Sequence, residues 1–146
     1  MLRRLLDHGA DVNELNRWLD TPLLVAASKD GKLEFARILI KYGADVNRRD
    51  TYGGTPLQAA ARYGQIDVVR LLLDNGADVH TTQREGLTAL HFASGHDHIE
   101  IAQLLLERGA SVHIRNVYGR TPSQHALTYG HREVAQFLSE YDIGGA

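Results

Sequence analysis

The stretch Thr55-Pro56-Leu57-Gln58-Ala59-Ala60-Ala61-Arg62-Tyr63-Gly64 decides the fold. Thr55 offers a hydroxyl that accepts from the free amides opening a helix, and Pro56 stands at the first helical position, where its missing N–H costs nothing. Gln58, three residues after Thr55, completes a capping box. The alanines that follow predict a short helix whose small side chains let a neighbouring backbone come close. Tyr63-Gly64 reads as the turn that ends it.

The chain beyond that turn predicts a second helix. Ile66, Val69, Leu72 and Leu73 form one apolar flank, with Val68 and Leu71 on another. Its polar stripe is narrow, made of Asp67, Arg70 and Asp74, and the next copy repeats it as Glu100, Gln103 and Glu107. A helix apolar over most of its circumference is expected between neighbours, with one thin face in water. Gly76 and Gly109 close these helices in the left-handed conformation that glycine adopts cheaply.

The unit recurs. Thr21, Thr55, Thr88 and Thr121 are spaced by 34, 33 and 33 residues, and Gly-Ala pairs recur at Gly9, Gly43, Gly76 and Gly109. Thr-Pro-Leu-x-x-Ala at this period, with Gly-Ala-Asp-Val closing the units, resembles the ankyrin repeat family over essentially the whole chain. The resemblance implies an all-α fold, an ankyrin-type α-solenoid of stacked helix pairs with β-hairpin fingers. A half-repeat spans 1–10, full repeats span 11–44, 45–77, 78–110 and 111–143, and 144–146 is a tail. Residues 1–10 match only the second helix of a unit. They are expected to be part of a longer repeat array, a half-repeat cap being the alternative.

Departures from the pattern carry their own expectations. The first full unit has an extra residue in its inter-helix turn, Ser28-Lys29-Asp30-Gly31-Lys32, and places Leu19 where Gly53, Gly86 and Gly119 recur. Asp97 replaces the glycine found at Gly64 and Gly130, which predicts a strained or rearranged turn. Ser123, His125, Arg132 and Ser139 stand at positions apolar elsewhere, which predicts a C-terminal cap with its outer face in water.

Composition excludes several functions. The 146 residues carry a net charge of −2 and no cysteine. A nucleic-acid binder normally shows a basic balance, so neither nucleic acid nor an anionic membrane surface is expected as a partner. Without cysteine there are no disulfides, thiolate nucleophiles or Cys-based zinc sites. No apolar run reaches the roughly eighteen residues needed to span a bilayer, and the expected location is cytoplasmic or nuclear.

Eight histidines invite a metal site, above all His91, His96 and His98. The repeat explains most of them. His91 stands at the capping position of Gln58 and Gln124, His98 pairs in register with His131, and His80 with His113. His96 and His98, two apart, are expected to diverge on a helix, and no His-Glu-x-x-His pattern exists. Walker, Gly-x-Ser-x-Gly and dinucleotide-binding motifs are absent. No catalytic, cofactor-binding or metal-binding residues are expected, and no small-molecule substrate.

Alignment of the units places Trp18, Tyr52, Glu85 and Tyr118 three residues before each threonine. Lys29, Tyr63, His96 and Tyr129 stand eight after it, Lys29 only approximately because of the inserted residue. Arg17, Arg62, Arg84 and Arg120 share that band. In ankyrin-like stacks these positions line the finger tips and the concave groove, and aromatic and Arg residues dominate binding hot spots. The expected function is protein–protein interaction, with Trp18, Tyr52, Arg62, Tyr63, Tyr118, Arg120 and Tyr129 contacting a partner of unknown identity. Local inter-finger packing is the competing role for the aromatics. For the whole chain, the alternative is a structural or regulatory segment of a larger signalling protein or enzyme.

Overall fold

A computed structural model describes residues 2–28 and 32–144. Lys29, the middle of the inserted turn and the last two tail residues lie outside the described residues, as does Met1. The helices among the described residues are α1 (Leu2–Asp7), α2 (Pro22–Ala27), α3 (Leu33–Lys41), α4 (Pro56–Arg62), α5 (Ile66–Asp74), α6 (Ala89–Gly95), α7 (Ile99–Glu107), α8 (Pro122–Thr128) and α9 (Arg132–Gly144).

They form antiparallel-type pairs, α2 with α3, α4 with α5, α6 with α7 and α8 with α9, each pair packed on the next. First helices make one row, α2, α4, α6 and α8, and second helices α1, α3, α5 and α7 make another. The four first helices all open on their threonine, whose hydroxyl accepts from the N3 amide. Capping boxes form at Thr55–Gln58 and Thr121–Gln124, as the sequence predicts, and His91 completes a third with Thr88.

The core is a single cluster between the rows. Leu39, Leu72, Leu105 and Leu138, at one register position, are all 2% exposed or less. Ala26, Ala60, Ala93 and Ala126 occupy the matching place on the first helices and are fully or nearly buried. Small residues there allow the first helices to approach closely. Asp67, Arg70 and Asp74 are exposed, as are Glu100, Gln103 and Glu107, so the thin stripe faces water.

The fingers are tight turns, with no strand among the described residues. Each is closed by a backbone bond between its limbs, such as Asp50 N–H to the Gly54 carbonyl at 2.8 Å, and by a side chain of its own. The Asp50 carboxylate accepts from the amides of Tyr52 and Gly54, both at 2.8 Å. Asn16, Gln83 and Asn116 accept from the equivalent amides of their own turns. Single backbone bonds join adjacent fingers, from Arg84 N–H to the Tyr52 carbonyl and from Val117 N–H to the Glu85 carbonyl.

Two departures keep the family geometry at some conformational cost. Asp97 is not rearranged: it holds φ 61°, matching the glycines Gly64 at 76° and Gly130 at 81°. Asp tolerates this region better than most residues. Leu19 holds φ 67° where Gly53, Gly86 and Gly119 hold 74–78°.

His125 departs from its expected place. It does not meet water on the outer face but is only 9% exposed, packed toward the preceding unit against His91. Its register position is shared with Ala59 and Phe92, on the side of the first helix that meets the unit before. Ser123 does contribute to a polar C-terminal side, donating to the Ala135 carbonyl and bonding Ser139.

Two stability outcomes follow from these environments. Leu72→Ala removes a fully buried side chain and is expected to cost about 2–5 kcal/mol in urea denaturation. Leu19→Gly, at a half-exposed turn, is expected to stabilise by up to about 1 kcal/mol, because relief of left-handed strain outweighs added unfolded-state entropy. A lower denaturation midpoint for Leu19→Gly would show the strain to be negligible.

Candidate functional site

The finger turns present their third residue outward. Trp18, Tyr52 and Tyr118 are 62%, 66% and 66% exposed, and their backbone N–H groups donate hydrogen bonds to the side-chain oxygens of Asn16, Asp50 and Asn116. Tyr63 and Tyr129 cap the C-termini of α4 and α8 and are 42% and 60% exposed. All five aromatics of the expected site therefore lie outside the core. Glu85 takes the tip position of the third finger, so the tip row is Trp, Tyr, Glu, Tyr.

Guanidinium groups stack on four of these rings. Arg17 lies 4.1 Å from the Trp18 ring, Arg62 5.5 Å from Tyr63, and Arg120 5.8 Å from Tyr118. Arg84 reaches across from the next finger to lie 5.6 Å from Tyr52. Such cation–π contacts are worth about 0.5–1 kcal/mol at exposed sites and hold both side chains in defined places. Tyr129 has no such partner; its ring meets His125 edge-on at 5.2 Å.

Acidic charge is in excess on the second helices α5, α7 and α9. The first helices α2, α4, α6 and α8 carry no acidic residue. The finger-bearing segments 11–20, 45–54, 78–87 and 111–120 carry Arg17, Arg48, Arg49, Arg84, Arg115 and Arg120 against Asp11, Glu14, Asp20, Asp45, Asp50, Asp78 and Glu85, so their charge is nearly balanced. The second helices α3, α5, α7 and α9 carry Glu34, Asp67, Asp74, Glu100, Glu107, Glu133, Glu140 and Asp142 against Arg37, Lys41, Arg70 and Arg132.

Sequence reasoning missed several contributors. The turn-closing residues Asn16, Asp50, Gln83 and Asn116 recur at 34, 33 and 33 residues, and that spacing was the available signal. Val117, 62% exposed beside Tyr118, follows Asn116 as Arg17 follows Asn16. Arg84 enters as the partner of Tyr52.

The histidines act in the stack. His91 accepts from the Thr88 amide through Nδ1, so Nε2 carries the proton and donates to the Arg120 carbonyl at 3.0 Å. Burial pushes its pKa down and keeps the ring neutral. His98 and His131 bond the carbonyls of Arg62 and Gly95, the equivalent residues one unit back. His96 and His98, expected to diverge, instead flank the α6–α7 turn and stack at 6.4 Å, because neither lies inside a helix. Among the described residues no group of three or more His, Cys, Asp or Glu could hold a metal ion. Nor is any helix among them long and apolar enough to cross a membrane.

The His125 ring fits only because residue 95 is glycine: a Cβ there would lie 2.9 Å from ring atoms. Its Nδ1 is buried without a hydrogen-bond partner. Burial, reinforced by the nearby His91, His96 and Arg120, pushes its pKa down to about 4.

Comparison with known families assigns the chain. Models described as ankyrin repeats match residues 1–83 and residues 72–126. The chain belongs to the ankyrin repeat family, whose members are generally protein-interaction modules. It is 44% identical over 60 residues to an ankyrin repeat protein of Rickettsia bellii, covering 41% of this chain and 35% of that one. It is 38% identical over 61 residues to an ankyrin repeat protein of fowlpox virus, covering 41% of this chain and 10% of the relative. It is also 40% identical over 60 residues to human ankyrin repeat and SOCS box protein 11, covering 41% and 18%. The matched stretch thus spans about a third or less of each relative's length.

The neutral His125 makes stability depend on pH. Its folded pKa, about 4, lies below the ordinary 6.5, so the unfolded chain takes up its proton first. Its contribution is complete above pH 6.5 and is lost as pH falls through 4. His125→Phe, which installs the residue type of Phe92, is expected to remove about 1–3 kcal/mol of the stability loss between pH 7 and pH 4. Urea midpoints at both pH values measure this; an unchanged difference would remove His125 from the acid response. Part of the slope is expected to persist, because His91 is also held neutral.

Proposed function

We propose that the chain binds a protein partner through the side formed by the finger tips and first helices. Trp18, Tyr52, Arg62, Tyr63, Tyr118, Arg120 and Tyr129 make the contact. The observation that carries this is the repeated exposure of large aromatics, 42–66% each, at register positions outside the core. Four of them are already ordered by stacked arginines, so little side-chain entropy remains to be lost on binding. With units about 10 Å apart, the rows extend on the order of 30 Å, enough for an interface of standard size. The arginines beside the exposed rings, and the absence of acids from the first helices, favour carboxylates on the partner opposite those rings.

A second role is favoured by the Arg84–Tyr52 stack, which ties one finger to the next. On that account the aromatic pairs brace the array, and the chain serves as a structural or regulatory segment of a larger protein. The two roles separate experimentally.

Once a partner is isolated, Tyr52→Ala and Tyr118→Ala are expected to weaken its binding by about 1–4 kcal/mol. Folding stability should change by less than about 1 kcal/mol, because neither ring is in the core. Arg70→Ala and Gln103→Ala, on the opposite stripe, should leave affinity unchanged. Normal binding by the tyrosine variants, with loss at Arg70 or Gln103, would place the contact elsewhere. A stability loss well above 1 kcal/mol with unchanged affinity would support the bracing role.

A further inference from the structure

Two register positions reach across each joint of the first-helix row, and at one joint both are histidine. Where α4 meets α6, the N3 residue is Gln58, whose Nε2 donates to the Thr81 carbonyl at 2.7 Å. The residue that α6 turns toward that joint is Phe92. Where α6 meets α8, the N3 residue is His91, donating to the Arg120 carbonyl at 3.0 Å, and α8 contributes His125. The two rings meet edge-on at 5.7 Å. A further position is the same at both joints, since His98 bonds the Arg62 carbonyl and His131 the Gly95 carbonyl. The joints therefore differ in holding glutamine and phenylalanine at one and two imidazoles at the other.

Both imidazoles are held in a form that an added proton would spoil. His91 uses the lone pair of Nδ1 to accept from the Thr88 amide, so protonation removes part of the cap of α6. His125 is 9% exposed and lies against Gly95, with Nδ1 buried and unpartnered, so a proton placed there meets no acceptor. The groups around it oppose its charging as well. His91 and His96 face it from α6 and its C-cap, Arg120 from the finger ahead of α8, and Tyr129 edge-on from the end of α8. The Asp97 carboxylate lies instead beside His131, 4.0 Å from its Nδ1. On α9, the charged side chains Arg132, Glu133, Glu140 and Asp142 are exposed. A charged His125 ring is relieved by reaching water, and α6 covers it, so α8 has to part from α6.

We propose that the joint between the α6–α7 and α8–α9 units is an acid-sensitive hinge, at which α8–α9 comes away while the α4–α5 unit stays folded. Units of a repeat stack touch only their neighbours, so one joint can open without the next. Opening carries Tyr118, Arg120 and Tyr129 away from Tyr52, Arg62 and Tyr63. Where these residues make the contact proposed above, mild acid divides that contact in two. This consequence rests on that reading; the hinge itself does not.

Amide exchange tests the hinge without a partner, so its failure leaves the proposed contact untouched. With the His125 pKa pushed down to about 4 in the closed joint and returning to the ordinary 6.5 in the open one, lowering the pH from 7 to 5 favours opening on the order of twentyfold. Protection is read for each amide relative to an unstructured chain at the same pH. In α8 it is expected to fall at least about tenfold between pH 7 and pH 5, and in α4 and α5 by no more than about threefold. His98 and His131 stand at both joints, so their contribution cancels in that comparison. His125→Ala and His125→Phe install the residue types of Ala59 and Phe92, and each is expected to bring the fall in α8 down to that in α4. Equal falls in α4, α5 and α8 of the unmodified protein would overturn the proposal, whether or not the variants fold. So would a tenfold fall in α8 that persists in both His125 variants.

Discussion

No helix pair in this chain can bury its own apolar surface. The first helices run six or seven residues and three of the second helices nine, too short to persist alone in water. The inner pairs present apolar residues on both broad sides, so each of these needs a neighbour on both sides. The leucines at 39, 72, 105 and 138 mark this requirement, one in each pair, all sealed between the two helix rows. Constant spacing follows. A change of period would rotate the leucine out of the seam, so the one extra residue of the first full unit falls in a turn rather than in a helix.

Packing alone would leave polar backbone groups at each of many helix ends. The chain answers with one threonine per first helix, each hydroxyl accepting from the N3 amide. Caps of this kind are worth about 0.5–2 kcal/mol apiece. The partner at N3 then does a second task. Gln58 Nε2 donates to the Thr81 carbonyl, and His91 Nε2 donates to the Arg120 carbonyl, so the cap of one unit also satisfies the loop of the next. Two different side chains solve the same problem because each offers an acceptor for the cap and a donor pointing onward.

The parts of the structure legible in the sequence are those set by local chemistry in register. Threonine caps, closing glycines and the polar stripe of the second helices could be read directly from spacing. His125 could not, because its fate depends on which neighbour it meets. A histidine at an otherwise apolar position reads as a surface residue. Its burial is made possible by Gly95, a residue of the preceding unit that leaves room for the ring. The Arg84–Tyr52 stack was equally hidden, since it joins residues 32 apart on different fingers. Aromatic exposure was legible, but the pairing of each ring was not.

Net charge is an average that conceals the arrangement. The value of −2 sums second helices on which acids outnumber bases and finger-bearing segments in which the two are nearly balanced. These sides are separated by the core, and across that distance solution ions screen one from the other. An approaching molecule responds to the side it meets, so the total alone does not describe the field at the fingers. The stacked arginines add a constraint of geometry. The guanidinium carbons lie 4.1–5.8 Å from the ring centroids, near enough for attraction to the ring face, and a guanidinium so placed keeps N–H donors for carboxylates. The fingers therefore set exposed aromatic area beside cationic donors, the pairing on which the proposed contact rests.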